Sequence, residues 1–312
     1  MTAGGVGHRP SGTTARTVAQ AKVNLALRVL AREATGYHQL ETVFCRLELG
    51  DDVVVRTAVR GRSIDCRGDA IPAGGLGAPE RNLAWRAAEA YASATGWPND
   101  FAIEIEKRIP VGGGLGGGSA DAGAVLRCLN ALAPSPLSMD ALIALGTPLG
   151  ADVPFLATDA TLALAWGRGE RLLTLPALPP RDVVLVTLPF GVATPEAYGW
   201  LDADAPVEAP AAAARSLDAV QSWEGIRRIA HNDFEAVVAP RFTAIGAVLD
   251  ELRARAAESG DASAFALLAG SGATVFLISS ATPSTIAFAH EGTSGIVRTK
   301  TATRVVAVEV SG

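Results

Sequence analysis

Residues 112–118 read GGGLGGG, six glycines in seven positions, and run without a break into the helical pattern SADAGAVLRCLNAL. Glycine lets a backbone turn its N–H groups inward and lets a bulky anion approach, and a helix N-terminus adds the positive end of its dipole. The chemistry such a run supports is the cradling of a phosphate, with Pro110, Val111, Gly112, Gly113, Gly114, Leu115, Gly116, Gly117, Gly118 and Ser119 as its contacts. The competing reading is a flexible turn before a helix capped by Ser119, which Asp121 in the first turn suits equally well. Three familiar nucleotide loops fit poorly. Gly112-x-Gly114-x-x-Gly117 matches the dinucleotide fingerprint by letter, but the strand before it alternates as if half wet, and NALAPSPLSMD stands where a second strand and an acid belong. A Walker A loop needs Gly-Lys-Ser/Thr, and no lysine lies between Lys107 and the end of the helix. A protein-kinase glycine loop joins two strands, whereas this one opens a helix.

Other residues that could do chemistry lie on elements the pattern makes legible. In AKVNLALRVL, residues 21–30, Val23, Leu25, Leu27 and Val29 alternate with Lys22, Asn24 and Arg28, so one strand face makes core and the other is free to meet a cleft. GYHQLETVFCRLELGDDVVVRTAV predicts a turn carrying Tyr37 and His38, a strand, a Gly-Asp-Asp turn and a second strand. NLAWRAAEAYASATG predicts a helix with Asn82 as cap, a stripe through Leu83, Ala87, Ala90, Tyr91 and Ala94, and Gly96 as stop. FAIEIEKRI is a strand with one face partly wet. A helix capped by Ser138 leads into LGADVPF, where Asp152 before Val-Pro is a turn residue or a general base. Strands follow at ATLALAWG and RDVVLVTLPF, the second buried, then a low-complexity surface excursion over 202–216. A helix at FTAIGAVLDELRARAAES, a glycine turn in LLAGSGATVFLI and terminal strands complete the chain. Hairpins mixed with helices, and no internal repeat, predict an α+β fold.

Composition narrows the partners. A chain of 312 residues, 49% hydrophobic and 19% charged, is long enough for two domains of ordinary size. A formal charge of -5 with no dense Lys/Arg run predicts no nucleic-acid and no anionic-membrane partner, and favours small molecules. Cys45, Cys66 and Cys128 are odd in number and form no CxxC, so neither a disulfide framework nor a zinc site is expected and a reducing cytoplasm fits. No apolar leader or long apolar run is present, and residues 1–15 read as a loose tail.

Taken in order, AKVNLALRVL…GYHQLET (21–42), PVGGGLGGGSADA (110–122), LGADVPF (149–155) and LLAGSGATVF (267–276) resemble the GHMP kinase superfamily. Within it the resemblance is to members that phosphorylate a cytidine-diphosphate-linked polyol of the non-mevalonate isoprenoid route, and RNLAWRAA and HNDFE extend it over nearly the whole chain. It implies two α+β domains, at 16–175 and 176–312, with the active site in the cleft between them, and transfer of the ATP γ-phosphoryl group to a 2-hydroxyl. By matching position, Asp152 is the catalytic aspartate, Lys22 the active-site lysine and Asn24 a substrate contact. Tyr37 and His38 are the pair that recognises cytosine, and Tyr198 is the second aromatic of the cytosine sandwich, where the family often has Phe. Gly272 lies in the motif that closes over the phosphates, and Asn82 lies near adenine or is only a cap. The resemblance brings magnesium with ATP, with no motif naming its ligands, and a monomer or homodimer. His8 and His290 receive no role.

The chain departs from the family at LATDATLALAWGRGERL, with Asp-Ala where glycine is usual, and at the looser DADAPVEAPAAAARS. Rival readings make different predictions. A GHMP kinase for homoserine or mevalonate would ignore the cytidine group, an oxidoreductase built on the GxGxxG letters would bind NAD(P)H, and an ATP-binding regulator would transfer nothing.

Overall fold

The structure, a computed structural model, describes residues 13–204, 216–281 and 295–312. His8, His290, positions 1–12 of the expected tail and positions 205–215 of the Ala/Pro-rich segment lie outside the described residues. The first strand already begins at Thr14, so Thr14 and Ala15 of the expected tail belong to the fold.

Two 19-residue strands, β1 (Thr14–Arg32) and β2 (His38–Arg56), pair antiparallel and form the spine. Next come β3 (Arg62–Arg67), α1 (Leu83–Thr95) and β4 (Phe101–Glu106), with β4 antiparallel to β2 and parallel to β3. The glycine run leads into α2 (Gly117–Leu132), α3 (Met139–Gly146) and the single turn α4 (Val153–Leu156). Strand β5 (Leu162–Gly167) adds to β2, and β6 (Arg171–Leu175) adds to β5. Then come β7 (Asp182–Thr187), α5 (Thr194–Asp204), α6 (Trp223–Ile229), β8 (His231–Asn232), α7 (Glu235–Val238) and α8 (Thr243–Glu258). The last described elements are β9 (Phe265–Leu268), β10 (Val275–Ser279), β11 (Gly295–Lys300) and β12 (Glu309–Ser311).

These strands make two sheets. One has eight strands on the path β12-β1-β2-β4-β3, with β5, β6 and β8 attached, and the other runs β11-β7-β10-β9. The first is covered by α1 and α2 around Phe44, Tyr91, Ile103 and Leu126, and the second packs on α8 through Ile245, Val248, Leu252, Val275 and Leu277. The architecture is α+β, and β8 and β12 carry the later chain back onto β1. Among the described residues no helix is long and apolar enough to cross a membrane.

The expected boundaries of α1 hold, because Asn82 accepts a hydrogen bond from Ala84 N and Gly96 ends the helix. The expected Gly-Asp-Asp turn does not exist. Residues 50–52 continue β2, paired with Gln20, Ala19 and Val18 of β1, and the two strands bend at bulges near Gln20/Lys22 and Asn24/Ala26 instead of reversing. Asp51, read as a turn residue, is fully buried. Helix α2 begins at Gly117, with Gly116 as cap, so Ser119 sits inside the first turn and does not cap it.

Candidate functional site

Lys22 and Asn24 share the β1 face opposite the core, as the alternation predicts, but that face is not wet. Each residue is only 3% exposed, because the glycine run lies across it. The Lys22 ammonium donates to Asn24 Oδ1 at 2.9 Å and to the Gly114 carbonyl at 3.1 Å, and it pairs with Asp152 Oδ2 at 3.1 Å. Asn24 in turn donates to the Thr42 hydroxyl, which donates to the Ala26 carbonyl. A lysine held by three oxygens cannot rotate freely, so the carboxylate beside it has a fixed cationic neighbour. Asp152 stays 25% exposed and faces the cleft, where an incoming hydroxyl could reach it.

Asp152 precedes α4, whose last carbonyls are gathered by a residue that sequence reasoning missed. Arg46, 1% exposed on β2, donates to the carbonyls of Phe155, Leu156, Thr158 and Ala160 and lies over the Phe155 ring. A guanidinium at a helix C-terminus satisfies carbonyls the helix leaves free and complements its dipole. Its signal was there to read: one arginine inside the otherwise apolar stretch VFCRL.

The glycine run crosses the middle of β1, at Lys22. Lys22 N donates to the Leu115 carbonyl and Thr274 N to the Gly113 carbonyl, so the run is fixed from both sheets. Gly114 has φ 79°, and a Cβ there would collide with the Ala269 carbonyl oxygen. The first N–H groups of α2 have no acceptor within the helix. They open on a cleft of about 490 Å³ whose lining includes Lys22, Asn24, Pro110, Val111, Gly112, Gly113, Gly114, Leu115, Gly116, Gly117, Gly118, Ser119, Asp152 and Tyr198. Gly272 is not in that lining; its neighbours Gly270 and Ser271 are.

The three residues expected to meet a base are arranged unevenly. The His38 and Tyr198 rings stack at 4.5 Å with 12° between planes, leaving no room for a third ring between them. Phe234 meets Tyr198 edge-on at 5.0 Å, and burial, with the Asp152 charge adding, pushes the Tyr198 hydroxyl up to about 12. His38 Nε2 lies 2.7 Å from Asp202 Oδ1; a carboxylate only accepts, so the proton sits on Nε2 and a neutral ring keeps Nδ1 as an acceptor. Tyr37 is not brought to the cleft. It is 61% exposed, with the Arg168 guanidinium 4.3 Å from its ring centre, and Arg168 also ties Glu33 and Thr35 in the same turn.

Beneath the glycine run lies a second group that the sequence did not disclose. Lys107 pairs with Asp51 and, at 2.6 Å, with Asp121. Asp51 Oδ1 also accepts from Arg108 N and Ile109 N. This buried set ties the strand entering the run to the helix leaving it. Burial opposes the Lys107 charge, but the two carboxylates outweigh it and hold its pKa above the ordinary value. Asp121, 3% exposed and with Oδ1 lacking a partner, is pushed up to about 8 by burial, with Asp51 adding and Lys107 opposing. Burial thus makes the Asp121 carboxyl keep a proton to higher pH in the folded protein than in the unfolded chain, where the ordinary value is 3.8. Stability is expected to fall as pH rises through that window and to level off above about 8. Thermal unfolding followed against pH in wild type and in Asp121→Asn tests this: the variant should lose this part of the decline, and an identical slope in both would refute it.

Among the described residues no group of three His, Cys, Asp or Glu side chains is placed to hold a metal by itself. The three cysteines are unpaired, and burial pushes Cys45 and Cys128 up to about 12 and Cys66 up to about 11, far from reactive thiolates.

Residues 82–159 match the family described as GHMP kinases N terminal domain. A 4-diphosphocytidyl-2-C-methyl-D-erythritol kinase from Moorella thermoacetica is 40% identical over 263 residues, covering 83% of this chain and 87% of that protein. The enzyme of the same description from Anaeromyxobacter dehalogenans (strain 2CP-C) is 43% identical over 264 residues, with 83% and 79% covered. A crystal structure of 4-(cytidine 5'-diphospho)-2C-methyl-D-erythritol kinase superposes with a TM-score of 0.62 at 36% identity, over 84% of this chain and 89% of that one. A homoserine kinase from Cytophaga hutchinsonii covers 99% of both chains with a TM-score of 0.63, but at 14% identity that likeness concerns the fold alone.

Proposed function

The chain belongs to the 4-diphosphocytidyl-2-C-methyl-D-erythritol kinase family of GHMP kinases, and from that premise we propose that it transfers the ATP γ-phosphoryl group to the 2-hydroxyl of 4-diphosphocytidyl-2-C-methyl-D-erythritol. The observation that carries this reading is the Lys22–Asp152 pair, 3.1 Å apart, with Lys22 also 3.1 Å from the carbonyl of Gly114 in the glycine run. A base for the acceptor hydroxyl and a cation for the migrating charge thus stand at the mouth of the phosphate cradle.

In this reading the ATP phosphates lie against the glycine run and the N-terminus of α2, whose dipole and N–H groups favour an anion. Asp152 accepts the hydroxyl proton as the oxygen attacks, and Lys22 beside it stabilises charge on the moving phosphoryl group. Asn24 orients the polyol. Magnesium is carried largely by phosphate oxygens and water with one or two carboxylates, which suits a lining that offers Asp152 and the Ser119 hydroxyl. Bound there, it would neutralise charge on the β- and γ-phosphate oxygens.

His38, with its proton directed to Asp202, offers Nδ1 to the exocyclic amino group of cytosine, and Tyr198 offers a ring face. Stacking with Tyr37 requires that ring to leave Arg168 and turn inward. The reading also takes 16–175 and 176–312 as the two domains, the reducing cytoplasm as the compartment, and small molecules as the partners.

The test is ATP consumption by purified protein offered the cytidylated alcohol, homoserine or mevalonate. Turnover with the first and less than about a hundredth of it with the others is expected, since a site built around a hydrogen-bonded base discriminates by orders of magnitude. Equal turnover with homoserine would instead favour the homoserine-kinase reading.

A further inference from the structure

The segment His231–Glu235, noted in the sequence as HNDFE and given no role, turns out to join the glycine-bearing loop at 268–274 to the strand that carries Lys22. Its backbone pairs with β1, Ala26 opposite His231 and Leu27 opposite Asn232, and Asp233 N donates to the Leu27 carbonyl. Asp233 Oδ2 accepts from Val29 N at 2.7 Å, closing a second link to the same strand. Toward the other side, the Asn232 amide donates to the carbonyls of both Leu268 and Gly270, each at 2.8 Å, while its own carbonyl accepts from Phe234 N. Glu235 Oε1 accepts from Leu268 N at 2.8 Å.

The loop held in this way faces the nucleotide end of the cleft. Gly270 and Ser271 line the cleft, and Thr274 N donates to the Gly113 carbonyl in the glycine run. Asn232 is 2% exposed, and its Nδ2 has two hydrogens and spends both on this loop. No other side chain reaches both carbonyls among the described residues.

We propose that Asn232 is a positioning residue for the nucleotide, fixing loop 268–274 over the glycine run at a set distance from Lys22 so that the phosphates are enclosed between two loops. This rests on the kinase reading above. Removing the amide leaves two buried carbonyls without donors, and the loop is then free to drift from the register that Thr274 and Gly113 share. Asn232 touches no reacting atom in this account, and the alcohol binds on the far side of Lys22, near Asn24 and Tyr198.

The account separates binding of the two substrates. In Asn232→Ala, affinity for ADP measured by calorimetric titration is expected to fall at least tenfold, with the ATP KM rising in parallel and the alcohol KM changing less than twofold. Glu235→Ala, which removes the other tether of the loop and leaves Asn232 intact, is the second variant, expected to weaken ADP severalfold if Asn232→Ala does not fold. A purely structural asparagine would lower the melting temperature and leave ADP affinity of the folded protein unchanged, or raise both KM values together, and either result overturns the proposal. The titration needs no acceptor, so it is independent of which alcohol is used. Wild-type protein that binds no ADP would overturn the kinase reading itself, whereas equal binding by wild type and both variants would overturn only the role of Asn232.

Discussion

Asparagine in place of Asp152 is expected to lower kcat by about two to four orders of magnitude, or about 3–5 kcal/mol of barrier, with the ATP KM changed by less than about threefold. The split follows from position. Asp152 sits at the mouth of the cleft beside Lys22, while the phosphate cradle proposed above involves the glycine run and loop 268–274, which a hydrogen bond joins. Asparagine has the same shape and can present its amide oxygen to Lys22, which also keeps Asn24 and the Gly114 carbonyl as acceptors. Lys22 loses its counter-ion but keeps three neutral acceptors, so the melting temperature should fall only modestly and the variant should stay folded. What disappears is the negative charge that can take a proton from the acceptor hydroxyl. Steady-state kinetics of the two proteins, with unfolding followed alongside, decide the matter. A variant that keeps more than about a tenth of the wild-type kcat would show that Asp152 is dispensable as a base and that positioning alone carries the rate.

Much of this site could be read before any coordinates because its parts are local. The glycine run is dense enough to bring a phosphate cradle into consideration beside an ordinary turn, and period-two alternation alone put Lys22 and Asn24 on one face, 2.9 Å apart through their side chains. Asn82 and Gly96 carry their capping roles in their residue types. What sequence did not disclose is long-range. That the face with Lys22 is buried depends on where residues 112–118 fold back, and nothing in AKVNL records it. Gly50-Asp51-Asp52 has the letters of a turn, yet β1 on one side and Lys107 on the other hold it as strand, because pairing and an ion pair outweigh local turn preference. Arg46 works on carbonyls more than a hundred residues away in the chain. The family resemblance supplied Tyr37, His38 and Tyr198 as a set, but their arrangement is tertiary. His38 stacks on Tyr198, while Tyr37 is drawn outward by Arg168, a residue within the stretch that departs from the family pattern.

Alanine in place of Gly114 is expected to reduce ADP and ATP affinity at least about a hundredfold, the largest effect of any single methyl group in the site. Two costs coincide. At φ 79° an L-residue loses about 1–2 kcal/mol relative to its usual backbone, and the added Cβ would enter the space of the Ala269 carbonyl oxygen. The second cost matters more, because a backbone carbonyl cannot swing aside as a flexible side chain does. Relief requires the glycine run and loop 268–274 to separate, which breaks the Thr274–Gly113 hydrogen bond and displaces the Gly114 carbonyl from Lys22. Gly246→Ala is the matched control. It lies within α8, has the Ala239 carbonyl oxygen at 3.6 Å from a built Cβ, an ordinary contact, and is not part of the cleft. That exchange should stabilise the helix by about 0.5–1 kcal/mol and leave kinetics unchanged. Calorimetric ADP titration and thermal unfolding of both variants test the contrast. If Gly114→Ala bound ADP as wild type does, the close approach of the two loops would not be what builds the phosphate site, and the role assigned to the glycine run would have to move toward the N-terminus of α2 alone.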